Sequence, residues 1–95
     1  MPYSTVVNAA ASTVIVKAGA GQLYNVICVA AGTSYAFICK DGPDPFGNYR
    51  TMFGGTPIVL TAGQNLFDSG GPMPFTNGLS LTVSGTPGEY DVIWA

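Results

Sequence analysis

Apolar and β-branched residues recur along this chain in short runs, each closed by glycine, proline or small polar residues. Residues 5–7, 12–17, 22–30, 34–41, 56–60, 64–68, 79–83 and 90–94 predict about eight strands, and no segment carries the period of an amphipathic helix. The cleanest alternation sets Leu79, Leu81 and Val83 inward against Ser80, Thr82 and Ser84 outward, as in an antiparallel strand with one solvated face. Residues 22–30 are apolar on both faces, with Leu23, Ile27 and Val29 on one and Tyr24, Val26, Cys28 and Ala30 on the other. Asn25 is the exception, and the run predicts a central strand. Residues 34–41 put Tyr35, Phe37 and Cys39 on one face, and Ala36, Ile38 and Lys40 on the other. The turn Ala31-Gly32-Thr33 predicts that these two runs form a hairpin. The fold class expected is all-β: a single small antiparallel β-sandwich, jelly-roll-like, over residues 1–95, with a short flexible N-terminal arm over about 1–11.

Length and cysteine usage bound this picture. A chain of 95 residues sustains one sandwich core. In the expected hairpin Cys28 lies opposite about Ala36, leaving Cys39 some three residues along the partner, beyond the ~7 Å Cα reach of a disulfide. Both cysteines are therefore expected as buried free thiols. The start of the chain has no basic n-region, and the apolar stretch Val14-Ile15-Val16 ends at Lys17, so neither a secretory signal nor a membrane span is expected, and folding in a reducing cytosol is.

Charge changes the picture most. Only 8% of residues are charged, against about 25% in an average domain. The surface must then expose neutral and apolar side chains, which favours self-association. Lys17, Lys40 and Arg50 are isolated and the net charge is −2, so no patch exists to neutralise a phosphate backbone and nucleic acid is not an expected partner.

The chemistry is equally sparse. With no histidine, His-based triads, general acid–base pairs and histidine metal sites are excluded. Asp41 and Asp44 flank a Gly-Pro turn and, with Asp68, are oxygen donors of the kind calcium takes, but aspartates favour turns by accepting nearby backbone N–H groups. Glu89 and Asp91 share a strand face, without a cleft for the two-carboxylate hydrolysis of glycosides. Gly19-Ala20-Gly21 lacks the third glycine, the helix and the lysine of a phosphate loop, and Cys28 sits in an apolar run rather than the electropositive setting of a reactive thiolate. No catalytic residue, metal ligand or cofactor is expected.

Two connections stand apart. Residues 42–55 hold two prolines and four glycines yet display Phe46, Tyr49, Arg50, Met52 and Phe53, and residues 69–78 repeat the composition with Met73 and Phe75. Three readings are weighed, a platform for carbohydrate or peptide, a protein–protein interface, or loops that fold back to plug the ends of the sandwich, and the low charge of the whole chain favours the interface, so these seven residues are expected as interface residues.

The run from Pro74 to Val83, the segment Tyr90-Asp91-Val92-Ile93-Trp94, the early Gly19-Ala20-Gly21-Gln22-Leu23-Tyr24-Asn25-Val26 and Lys40-Asp41-Gly42 together resemble small β-sandwich proteins of tailed bacteriophages, some of them capsid decoration or cement proteins. The resemblance spans about residues 12–94. Where such proteins have a Ser/Thr-rich connection after the Asp-Gly, this chain has the loop around residues 46–53. The resemblance implies a virion component that is made in the host cytoplasm, binds the major capsid protein on the outer capsid surface, often as a homotrimer, and stabilises the shell without enzymatic activity. A glycan-binding or adhesion module of a tail or head fibre is the alternative.

Overall fold

The computed structural model describes residues 3–67 and 72–95. Among them the chain forms β1 (Tyr3–Val7), β2 (Ser12–Ala18), β3 (Gly21–Ala30), β4 (Thr33–Asp41), β5 (Arg50–Thr51), β6 (Ile58–Val59), β7 (Met73–Phe75), β8 (Gly78–Thr86) and β9 (Glu89–Trp94), with a 3-10 turn at Phe53–Gly55. One antiparallel sheet has the order β1-β9-β3-β7, and the sheet facing it has the order β2-β8-β4-β5, with β6 also paired to β4. Sequence neighbours β1 and β2, β3 and β4, and β8 and β9 therefore lie in opposite layers, which is jelly-roll connectivity. The all-β sandwich read from the pattern is the fold of this chain.

The expected hairpin of residues 22–30 and 34–41 does not form. β3 pairs with β9 and β7, while β4 pairs with β8, β5 and β6. Each of the two runs carries a fully buried face, Leu23, Val26 and Cys28 on one and Tyr35, Phe37 and Cys39 on the other. Side by side in one sheet these faces would need a cover from elsewhere; in opposite sheets they cover each other. The chain makes the crossing at Gly32, whose φ is 61°. A Cβ there would meet the Thr86 carbonyl at 2.4 Å, and one on Gly88 would meet the Ala30 carbonyl at 2.1 Å. The β3–β4 and β8–β9 crossings are thus packed backbone against backbone, which leaves no room for a side chain at either glycine.

Other expectations shift for local reasons. A bulge between Leu23 and Asn25 in the β3–β9 ladder exchanges the faces of β3, so Leu23 is inward with Val26 and Cys28, while Tyr24 and Val29 face out. Asn25 is polar because its Oδ1 accepts the amides of Val26 (2.9 Å) and Phe67 (3.0 Å), docking a remote segment onto the bulge. The strand expected at 64–68 reduces to a single bridge between Asn65 and Ile27, and Asp68 lies outside the described residues. The flexible arm expected at 1–11 is, from Tyr3 to Val7, an edge strand held on β9, because Val7 is buried and Tyr3 stacks on Trp94 at 4.8 Å. Ser80, expected outward, is fully buried and donates to the Gly42 carbonyl at 2.9 Å.

The core is apolar and aromatic, and the tyrosine hydroxyls within it are hydrogen-bonded. Tyr35 from β4 and Tyr90 from β9 are both fully buried and stack at 5.2 Å, and Phe37 meets Tyr90 edge-on at 4.9 Å. The Tyr90 hydroxyl donates to the Tyr35 carbonyl, and the Tyr35 hydroxyl donates to the Ala9 carbonyl at 2.5 Å. An irregularity between Thr33 and Ala36 takes Ser34 and Tyr35 out of register with β8, and the Tyr90 hydroxyl supplies the bond there. Cys28 and Cys39 are buried free thiols on opposite sheets.

Replacing Tyr90 by phenylalanine keeps the ring packing and strands the Tyr35 carbonyl, so it should cost roughly 1–3 kcal/mol. Denaturant unfolding checks this, and an unchanged midpoint would show that the bond contributes nothing net. Burial pushes the Cys39 thiol up to about 12 and also raises Cys28 and Tyr35. Tyr90 is raised by burial first and then by the charge of Cys28. The folded state holds these protons more tightly than the unfolded chain, so their contribution is complete below the ordinary thiol and phenol values and is lost as pH rises past them. Urea midpoints should be level from about pH 5 to 8, where no histidine titrates, and fall from about pH 9 upward. A level curve to pH 11 would contradict it.

Candidate functional site

The two proline- and aromatic-rich connections meet at one end of the sandwich, and two aspartates shape them. Asp41, the last residue of β4, points its carboxylate at the second connection, accepting the amides of Thr76 (2.8 Å), Asn77 (2.7 Å) and Gly78 (3.3 Å). Asp44 organises the first: its Oδ1 accepts the amides of Phe46 and Asn48, both at 2.9 Å. Backbone bonds from Asp44 to the Asn48 carbonyl (2.9 Å) and from Gly47 to the Asp44 carbonyl (3.0 Å) close the loop. The Asn48 amide first, and then that of Phe46, hold the Asp44 carboxyl below its ordinary value. Of the three aspartates weighed as calcium donors, Asp41 thus accepts backbone amides with both oxygens and Asp44 with Oδ1, while Asp68 lies outside the described residues.

The loop so fixed presents Phe46 at 88% exposure, with Tyr49 at 41% beside it. The Lys40 ammonium lies 6.0 Å from the centre of the Tyr49 ring. Arg50 is exposed at the start of β5, opposite Asp41, and its guanidinium has no polar partner among the described residues. The Asp41 carboxylate across the ladder is engaged by amides instead.

The remaining candidates part company with these three. Met52 and Phe75 are buried in the chain's own core, at 7% and 3% exposure, so the plugging reading is the correct one for them. Met52 donates its amide to the Cys39 carbonyl at 2.9 Å, which draws its side chain under β4, while Phe75 is drawn in by the pairing of β7 with Gly21. Phe53 and Met73 are half-buried against the core, Phe53 tilted on Phe67 at 5.6 Å. Phe53 has a φ of 54°, an uncommon left-handed conformation for an aromatic residue.

Between the connections lies a cleft of about 350 Å³ lined by Asp41, Arg50, Thr51, Met52, Phe53, Met73, Pro74 and Thr76. Its lining is mostly polar, with the Asp41 carboxylate, the Thr51 and Thr76 hydroxyls and the Arg50 charge around a smaller apolar part. Thr51, Pro74 and Thr76 are not among the candidate site residues singled out from the chain, because they reach the cleft on or beside β5 and β7, two strands too short to leave a periodic signature. Away from this end, Asp91 Oδ1 is buried without a hydrogen-bond partner among the described residues, on the outer face where Asp91 pairs with Val6 and Ile27.

No protein-family model, curated protein or solved structure matches this chain. The resemblance to phage decoration proteins therefore rests on the residues quoted for it, and the geometry of the loop end has to carry its own weight.

Replacing Asp44 by alanine should speed hydrogen exchange at the Phe46 and Asn48 amides while leaving the global thermal midpoint unchanged, since the loop lies outside the core. The lowered carboxyl value has a defined sign: its contribution is present above the ordinary carboxylate range and is lost as pH falls through the depressed value. Protection of the two amides should thus survive acidification into that range. Loss of protection already at pH 5 would contradict the hydrogen-bonded loop.

Proposed function

We propose that this chain is a structural virion protein, a non-enzymatic capsid decoration protein that binds the outer capsid surface through the loop end of its sandwich. The observation that carries the reading is Phe46, held 88% exposed on a loop whose backbone is tied down by Asp44. A large aromatic kept in water on an ordered loop is a binding anchor prepared in advance, because little conformational entropy remains to be lost when it is covered. Tyr49 and Arg50 flank it, which completes the aromatic and arginine composition of interface cores. The charge-poor surface supports the same reading, since a shell-bound domain must bury a large share of itself.

The exposed pair gives a clean test. Phe46→Ser with Tyr49→Ser should leave the circular dichroism spectrum and thermal midpoint native and weaken co-sedimentation with the parent particles by ~10-fold or more, each covered aromatic being worth about 1.5–3 kcal/mol. Undiminished co-sedimentation of a folded double variant would overturn the role of this loop, and a cryo-EM map of the particle without density for the domain would overturn the capsid reading itself.

A second reading has one observation in its favour. The cleft beside Arg50 joins a polar, hydroxyl-bearing lining to a guanidinium that has no polar partner among the described residues, a combination suited to an acidic sugar. In this reading the protein is a glycan-binding or adhesion module of a phage fibre. Binding to an array of acidic glycans that is lost on Arg50→Gln would favour it over shell binding.

A further inference from the structure

The two sheets expose four lateral edges, and three of them are protected. β7 is three residues long with Pro74 at its centre, and the segment 63–67 covers the rest of that side of β3 through bonds such as Leu66 N to the Val26 carbonyl (2.9 Å). The β4 edge is broken into β5 and β6, two residues each, separated by the turn at Phe53–Gly55. β2 has a register irregularity between Ile15 and Lys17 and carries that lysine at it. Short strands, proline, bulges and lysine are the devices by which edges avoid pairing with other chains.

β1 has none of them. Its five residues, Tyr-Ser-Thr-Val-Val, pair with β9 without a register shift from Tyr3↔Trp94 to Val7↔Tyr90, and none is charged or proline. Among the described residues no backbone bond reaches its other side. Side chains also tie the strand to β9: Tyr3 stacks on Trp94, and Trp94 Nε1 donates to Thr5 Oγ1 at 2.9 Å. Tyr3 and Val6 remain 60% and 55% exposed.

We propose that β1 is a homodimerisation edge, on which β1 of a second copy pairs antiparallel about a twofold axis at Thr5, joining two four-stranded sheets into one of eight. The strand is complementary to its own reverse. Pairing about Thr5 sets Tyr3 against Val7 and Ser4 against Val6 of the other copy, aromatic or polar against β-branched, with no like charges opposed. Asp91, opposite Val6 on β9, stays one strand away from the junction. A foreign strand would have to match this register by chance, whereas a second copy matches it by symmetry. An isologous edge closes at two subunits, so this contact yields a dimer rather than the trimer that the family resemblance implies. A ladder of five residues falls short of the ~1,200 Å² of a standard interface, which places the association in the range of ~10–1,000 µM.

Sedimentation equilibrium of the intact, untagged chain over that range should show a reversible monomer–dimer equilibrium. Val6→Lys should weaken it by about tenfold or more, through lysines placed beside the axis. Ser4→Lys, at an exposed position, should do the same if the first variant proves unstable. Register is read separately. An oxidised mixture of Ser4→Cys and Val6→Cys chains should give disulfide-linked heterodimers, while either variant alone gives few, because residue 4 faces residue 6 of the other copy. A monomer at all concentrations, a trimer, or a dimer indifferent to both lysines would each overturn the proposal. None of these outcomes depends on capsid binding, which is read by co-sedimentation at a separate feature, the Phe46 loop.

Discussion

The hydroxyl of Tyr90 bonded to the carbonyl of Tyr35 is a directed link between the centres of the two layers. Apolar burial presses the sheets together without saying how they should be aligned, since dispersion and the hydrophobic effect have no direction. A hydrogen bond in a site sealed from water has both direction and a large penalty for being missed. Here it falls at the place where β4 leaves register with β8, so the irregularity that frees the carbonyl and the tyrosine that reaches it require each other. The Tyr35 hydroxyl continues the chain of contacts to Ala9, in the connection between β1 and β2. One buried aromatic pair thus positions both sheets and one of the crossings between them.

Much of this architecture is legible in the chain, and the limits of legibility are physical. The alternation of Leu79, Leu81 and Val83 survives intact because a two-residue period belongs to the strand itself. Ser80 breaks the rule only because a carbonyl thirty-eight positions away needs a donor. The pairing of strands is another matter. The connection around Gly32 has the length and composition of a hairpin turn, and nothing within it reports that β8 and β9 offer better neighbours than β3 and β4 offer each other. A bulge is similarly silent: the exchange of faces at Asn25 follows from a docked segment some forty residues distant.

The loop end shows the same division. Phe46, Tyr49, Met52 and Phe75 come from stretches of similar composition, yet two of them face water and two fill the core. What separates them is adjacency to a strand edge. Met52 and Phe75 lie where the backbone is captured by β4 and β3, and their side chains follow it inward; Phe46 and Tyr49 lie on the part of the loop that Asp44 turns outward. Aromatic density announces that a loop is unusual, and only the surrounding ladder decides which of its rings are available to a partner. In a chain without histidine, such rings and the exposed Arg50 are the groups that this end offers a partner.

The interleaved strand order also governs how the molecule comes into being. β9 lies between β1 and β3, and β8 between β2 and β4, so neither sheet has its inner partner until the last two strands have been synthesised. The first four strands leave the ribosome with apolar faces and no neighbours to cover them, and the two glycine crossings at Gly32 and Gly88 can interlock only at the end. Closure therefore waits for contacts of long sequence separation, the regime in which β-sandwiches fold in milliseconds to seconds rather than microseconds. During that interval the apolar runs, of which residues 22–30 are the longest among those read as strands, wait uncovered between interruptions of glycine, proline and small polar residues. The punctuation that shapes the turns of the finished protein also sets how much apolar chain the unfinished one shows at a stretch.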